Sequence, residues 1–140
     1  MSEISYMAII VATIAQFIFG AIWYMPIFGK IWGKIHGFDQ IAPDKQKEMQ
    51  KDMWKFLIPQ LIFTLVTTVV FAKLLGQLST DWSIYCLAAM FWLGFIVPTQ
   101  AAAVIFGGTK PEWMIQKILI MALGALGCME IIAIVFNLMM

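Results

Sequence analysis

"KILIMALGALGCMEIIAIVFNLMM" (Lys117–Met140) carries one charged side chain, Glu130, after its opening lysine. A bilayer-spanning helix takes roughly 17 to 25 mostly apolar residues, and this run supplies them. Three more uncharged stretches precede it: between Glu3 and Lys30, between Lys55 and Lys73, and between Asp81 and Lys110. The whole chain is 62% hydrophobic and 12% charged, whereas a soluble domain is nearer half apolar and a quarter charged. The pattern predicts an all-α integral membrane bundle, a single domain over residues 1–140. Its four transmembrane helices are expected at about 5–27, 54–75, 81–106 and 111–139. The second stretch is short and would extend through Leu74 and Leu75, with the Lys73 stem reaching the interface.

Local signals place the ends and breaks of these helices. Pro26 loosens the end of the first. A connector at about 29–53 follows, and Pro43 opens a short amphipathic surface helix there, since proline fits a first turn. Met49, Met53 and Phe56 would share its apolar face, leading directly into the second helix. The third begins near Thr80 with Asp81 in its first turn and stops at Gly107-Gly108. "TKPE" (Thr109–Glu112) fits a capping box that opens the fourth. Pro98 deprives the Gly94 carbonyl of its helical donor, so Gly94 and Pro98 form an expected hinge. Met1–Met7 contains the acid Glu3, no base and no small-residue cleavage site, so the first helix is expected to remain in place rather than act as a signal. Cys86 falls near one membrane face and Cys128 near the midplane. That depth difference of about 14 Å is too great for a disulfide.

The lysines set the orientation. Lys30, Lys34, Lys45, Lys47, Lys51 and Lys55 lie in or beside the first connector, and Lys110 and Lys117 flank the third; Lys73 alone marks the second. The positive-inside rule then puts connectors one and three in the cytoplasm and both termini outside. The interfacial aromatics agree: Trp23, Tyr24, Trp32, Trp54 and Trp113 at the inner face, Tyr6, Trp82 and Tyr85 at the outer. A near-neutral net charge gives no reason to expect nucleic acid.

Two stretches resemble a known family. "GAIWYMPIFGKIWGK" (Gly20–Lys34) and "WLGFIVPTQAAAVIFGG" (Trp92–Gly108) are similar to a bacterial membrane family catalogued as domain of unknown function 1761. The resemblance implies a small four-helix protein integral to the bacterial cytoplasmic membrane. It brings no activity and no catalytic residues with it.

Glu130 is the focus of any chemistry. Counted from the helix ends it lies about 15 Å deep, level with Gln16, Thr64 and Trp92. A carboxyl in hydrocarbon is costly, so it is expected to face the bundle interior, with the Gln16 amide and Thr64 as partners. Ala8, Ala12, Gln16, Gly20 and Tyr24 form a small, polar stripe at i, i+4 spacing on the first helix. Gln116, Leu123, Glu130 and Asn137 recur every seven residues on the fourth, with Gly127 and Ala133 beside them. These two faces are expected to meet, within a protomer or across a dimer. Gln60, Thr99 and Gln100 would line a second cavity toward the cytoplasmic side. His36 and Asp39 lack the third and fourth ligands that a metal site takes, and nothing points to a cofactor.

The motif survey for enzymes is negative: no H-E-x-x-H, P-loop, G-x-S-x-G or C-x-x-C occurs. There is no arginine for bidentate clamping of carboxylate or phosphate. The leading expectation is a homo-oligomer in the lipid bilayer that binds or transports an unidentified small solute. Glu130 would couple it to protons, and Gln16, Thr64, Trp92 and Asn137 would line the site. The alternative is a structural or interaction protein whose buried polar groups fix helix packing alone. A small membrane enzyme comes third.

Overall fold

Ser5 starts the first helix: its hydroxyl accepts the Ala8 N–H at 3.1 Å, satisfying one of the donors that a helix N-terminus leaves free. The computed structural model describes residues 4–140; Glu3 lies outside the described residues. Helix α1 (Tyr6–Ile22) passes into a π turn at Trp23–Ile27. Pro26 has no N–H to give the Ile22 carbonyl, and the ladder shifts so that the Phe28 N–H reaches the Trp23 carbonyl, five residues back, at 3.0 Å. The third span repeats the device. Helix α5 (Ile84–Phe91) becomes a π turn at Trp92–Ile96, in which the Val97 N–H bonds to the Trp92 carbonyl, and α6 (Val97–Phe106) follows with Pro98 in its first turn. The expected hinge at Gly94 and Pro98 therefore takes the form of a widened turn.

Four stretches are long and apolar enough to cross a membrane: Tyr6–Ile27, Trp54–Gln77, Ile84–Phe106 and Pro111–Met139. The connector after the first holds α2 (Gly29–Ile35) and α3 (Pro43–Lys51), joined through Gly37 in the left-handed region at φ 70. The Gln46 amide ties this turn together by donating to the carbonyls of Phe38 and Ile41, both at 2.9 Å. Helix α4 (Trp54–Gln77) forms the second span, and α7 (Met114–Met139), preceded by a 3-10 turn at Pro111–Trp113, forms the fourth.

Three local expectations are corrected. The third span starts at Ile84, capped by Ser83, whose hydroxyl accepts the Cys86 N–H at 3.2 Å. A serine oxygen bonded to a free N–H fixes the start more firmly than Asp81 acting on the dipole. No capping box opens the fourth span, because Pro111 begins a 3-10 turn and the Thr109 hydroxyl makes no hydrogen bond. Met49, Met53 and Phe56 share no continuous face, since α3 ends at Lys51 and Asp52-Met53 breaks the helix before α4.

Packing centres on α7. Helix α1 lies against both α7 and α4, while α5 and α6 lie against α7 on another side. The core gathers Ala8 and Ala12 of α1, Phe71 and Leu75 of α4, Leu87 and Ala88 of α5, and Ile132, Ala133 and Phe136 of α7. An edge-on contact of Phe71 with Phe91, centroids 5.6 Å apart, joins α4 to α5. Away from the core the apolar surface is open: Phe63, Phe95 and Ile115 are each about two-thirds exposed or more (66%, 68% and 74%). Such an outer surface suits acyl chains as its solvent.

Close approach of α1 to α7 depends on two glycines. A Cβ at Gly127 would run into the Phe19 ring, and one at Gly124 would stand 2.7 Å from the Trp23 indole nitrogen. Small residues serve this purpose in membranes, where no hydrophobic force drives one helix against another. Gly124→Ala should therefore displace the Trp23 ring and destabilise the fold by about 1–3 kcal/mol. Unfolding titrations in mixed micelles check this; an alanine variant as stable as the parent would contradict the packing.

Candidate functional site

Gln16 is 4% exposed, deep in the bundle. Its amide donates to the Thr68 hydroxyl of α4 at 2.7 Å and to its own Ala12 carbonyl at 3.1 Å. The Thr68 hydroxyl in turn donates to the Thr64 carbonyl at 2.8 Å. The result is a short polar chain linking α1 to α4, complete without a carboxylate. Thr64, the expected partner, lies one turn away and gives its hydroxyl to the Gln60 carbonyl of its own helix.

Glu130 takes no part in this chain. Depth counting placed it near Gln16, and the structure agrees to within two residues: the Cys128 thiol lies 4.0 Å from the Gln16 carbonyl. Two residues on, the helix has turned by about 200°. Leu123, Ile134 and Asn137 flank Glu130 on an exposed face, while its neighbours Met129 and Ala133 are buried. The small, polar face of α1 does point inward. The polar face of α7 points outward, and within one protomer the two do not meet. The physical reason is that Gly124 and Gly127 let the Trp23 and Phe19 rings approach more closely than a face carrying Leu123, Glu130 and Ile134 would allow. Among the described residues Glu130 joins no ion pair.

The remaining expected residues separate as well. Trp92 donates its indole N–H to the Ala122 carbonyl at 2.6 Å, which lies about 12 Å along the helix from Glu130. Gln60 and Thr99 are exposed, and the Thr99 hydroxyl bonds to its own Phe95 carbonyl at 2.6 Å. Gln100 is half-buried with an unpartnered side-chain oxygen. No hydrogen bond draws Gln60, Thr99 and Gln100 together.

Two residues have more important roles than interfacial anchoring or a shared depth would suggest. The Trp23 indole donates to the Ile120 carbonyl at 2.9 Å, so Trp23 and Trp92 grip α7 at carbonyls two residues apart, on roughly opposite sides of the helix. A helical carbonyl keeps a second lone pair for such a donor. The sequence does hold a signal for this pairing: each tryptophan precedes a proline by a few residues, and a buried indole N–H seeks a partner.

An α-helical protein with four spans, an internal polar chain and a carboxyl on its outer face belongs among the polytopic membrane proteins. Its family follows from the sequence: residues 7–137 match the model "Protein of unknown function (DUF1761)", and the chain belongs to that family. Searches of curated proteins and of solved structures return no match.

The geometry makes a direct prediction for pairwise coupling. In double-mutant cycles, Gln16→Leu with Thr68→Val should show a coupling of about 0.6–2 kcal/mol. Gln16→Leu with Glu130→Leu should be additive. Unfolding free energies in micelles decide between these, and coupling confined to the second pair would reverse the assignment.

Proposed function

We propose that the protein binds or moves a small solute as a homo-oligomer, with Glu130 as a proton-exchanging group where copies meet. One feature supports this reading: the half-buried Glu130 lies within a span, on a helix face whose other members, Gln116, Leu123 and Asn137, are exposed. Insertion scales put the cost of an acidic side chain at the bilayer centre at about 2.5–3.5 kcal/mol, which favours covering it with protein. A second copy suits this face. Gln116, Leu123, Glu130 and Asn137 recur at the seven-residue interval of packed helices. A twofold axis along the membrane normal would bring each to the depth of its own counterpart. Two carboxyls in such a seam form a site that can take up protons or a cationic solute in turn. The π turns beside Pro26 and Pro98 provide places where the first and third spans can bend. The lysine bias favours placing connectors one and three in the cytoplasm of a bacterial cell, with both termini outside.

A packing role is the second reading. It draws support from Gln16, Trp23 and Trp92, whose side-chain donors are each spent on another helix. Proteoliposomes with an imposed pH gradient separate the two readings, using a panel of small amines and organic cations as solutes. Transport predicts gradient-driven uptake that falls at least tenfold in Glu130→Gln while the oligomer survives. Absence of wild-type uptake across the panel, with Glu130→Gln dissociating the oligomer, would leave packing as the role. Intermolecular disulfides in Leu123→Cys, made in a background lacking Cys86 and Cys128, are expected from the seam itself.

A further inference from the structure

At the lysine-rich end of the bundle, the turn after α2 and the loop between α6 and α7 wall a cavity of about 490 Å³. Lys34, Lys110 and Lys117 line it, and Thr109 stands among them. Asp39 and Glu112 also reach the lining, yet neither pairs with these lysines. Among the described residues the one ion pair, Lys55 with Asp52 at 3.3 Å, lies elsewhere. Three lysines and two carboxylates thus line one space with no ion pair between them, which leaves the lining with one excess positive charge.

Two further features fit an anion there. The Thr109 side-chain oxygen is buried with no hydrogen-bond partner, a condition that folded proteins largely avoid unless water or a ligand completes it. Gly107 (φ −90, ψ 18) followed by Gly108 (φ 76) gives the near-helical then left-handed succession whose backbone N–H groups form anion-binding concavities. The Lys117 ammonium is 5.8 Å from the centroid of the Trp32 ring on α2, which holds the lysine at the cavity wall through a cation–π contact.

We infer that this cavity binds a phosphate group. Lysines act on phosphate as point charges and need no bidentate fork, so the lack of arginine is no obstacle. The phosphate belongs either to a phospholipid headgroup or to a soluble phosphate ester. The site stands apart from Glu130, and neither proposal depends on the other.

Binding to the purified full-length protein in neutral detergent tests this, read by native mass spectrometry and by thermophoresis. The probes are short-chain phosphatidylglycerol, glycerol 3-phosphate and, lacking phosphate, dioctanoylglycerol. The pocket variant combines Lys34→Gln, Lys110→Gln and Lys117→Gln. A control of equal charge change combines Lys45→Gln, Lys47→Gln and Lys51→Gln on α3. At least one phosphate probe should bind, at least tenfold more weakly in the pocket variant and within twofold of wild type in the control. Dependence confined to phosphatidylglycerol identifies a lipid headgroup, and equal dependence for glycerol 3-phosphate a soluble ester; both support the site. Thr109→Val should weaken binding without altering thermal stability. The inference is overturned if neither phosphate probe binds, if both triple variants weaken binding alike, or if dioctanoylglycerol binds as well as the phospholipid.

Discussion

Two indole N–H groups bonded to the Ile120 and Ala122 carbonyls of α7 organise this structure. Lipid supplies no hydrophobic drive between helices, so helix association depends on close contact and on hydrogen bonds. Trp23 and Trp92 contribute both, each from its own span. Each also begins a π turn beside a proline, and its carbonyl accepts from five residues onward. The proline removes a donor, the ladder widens, and the wider turn presents a large ring to the next helix. Gly124 completes the fit by leaving room for the Trp23 ring where any other residue would place a Cβ.

Much of this was legible in the sequence. The four uncharged blocks announced four spans because twenty apolar residues have few stable alternatives to crossing a bilayer. The stripe from Ala8 to Tyr24 announced the inward face of α1, where small residues and one amide share a helical row. Counting along the chain sets Glu130 level with Gln16, and Cys128, two residues before it, meets the Gln16 carbonyl, while Glu130 itself sits beside the exposed Leu123 and Asn137. Depth accumulates along the chain at a fixed rise and can be counted. Azimuth is decided by which face packs most tightly, and on α7 the face with Gly124 and Gly127 prevailed over the polar one. Thr68 replaced Thr64 for a related reason: counting from helix ends ignores how α1 and α4 cross, and a single turn decides which threonine meets Gln16.

The outward carboxyl gains meaning from the inward residues. Gln16, Thr68, Trp23 and Trp92 have their side-chain donors satisfied within one protomer. Glu130, by contrast, joins no ion pair among the described residues, and under the proposed assembly a second copy would cover it. This contrast is the support for an assembly, and it comes from the protomer's own hydrogen bonds rather than from the polarity of one helix face.

The lysine-rich cavity and the grip on α7 are physically continuous. Phe19, Trp23 and Phe28 form a run of ring contacts with centroids 5.6 and 4.6 Å apart, and Tyr24, Trp32 and His36 a second at 4.8 and 4.5 Å. The second run ends at the cavity wall through His36, and Trp32 carries the Lys117 ammonium of α7. The Gly20–Lys34 stretch thus joins three tasks in one aromatic framework: it bends the first span, grips α7 and shapes one wall of the cavity. A ligand drawing Lys117 toward Lys34 would pull on Trp32, and through Tyr24 on the π turn that aims Trp23. The Tyr24–Trp32 and Trp32–His36 ring contacts are the route that such a displacement would take.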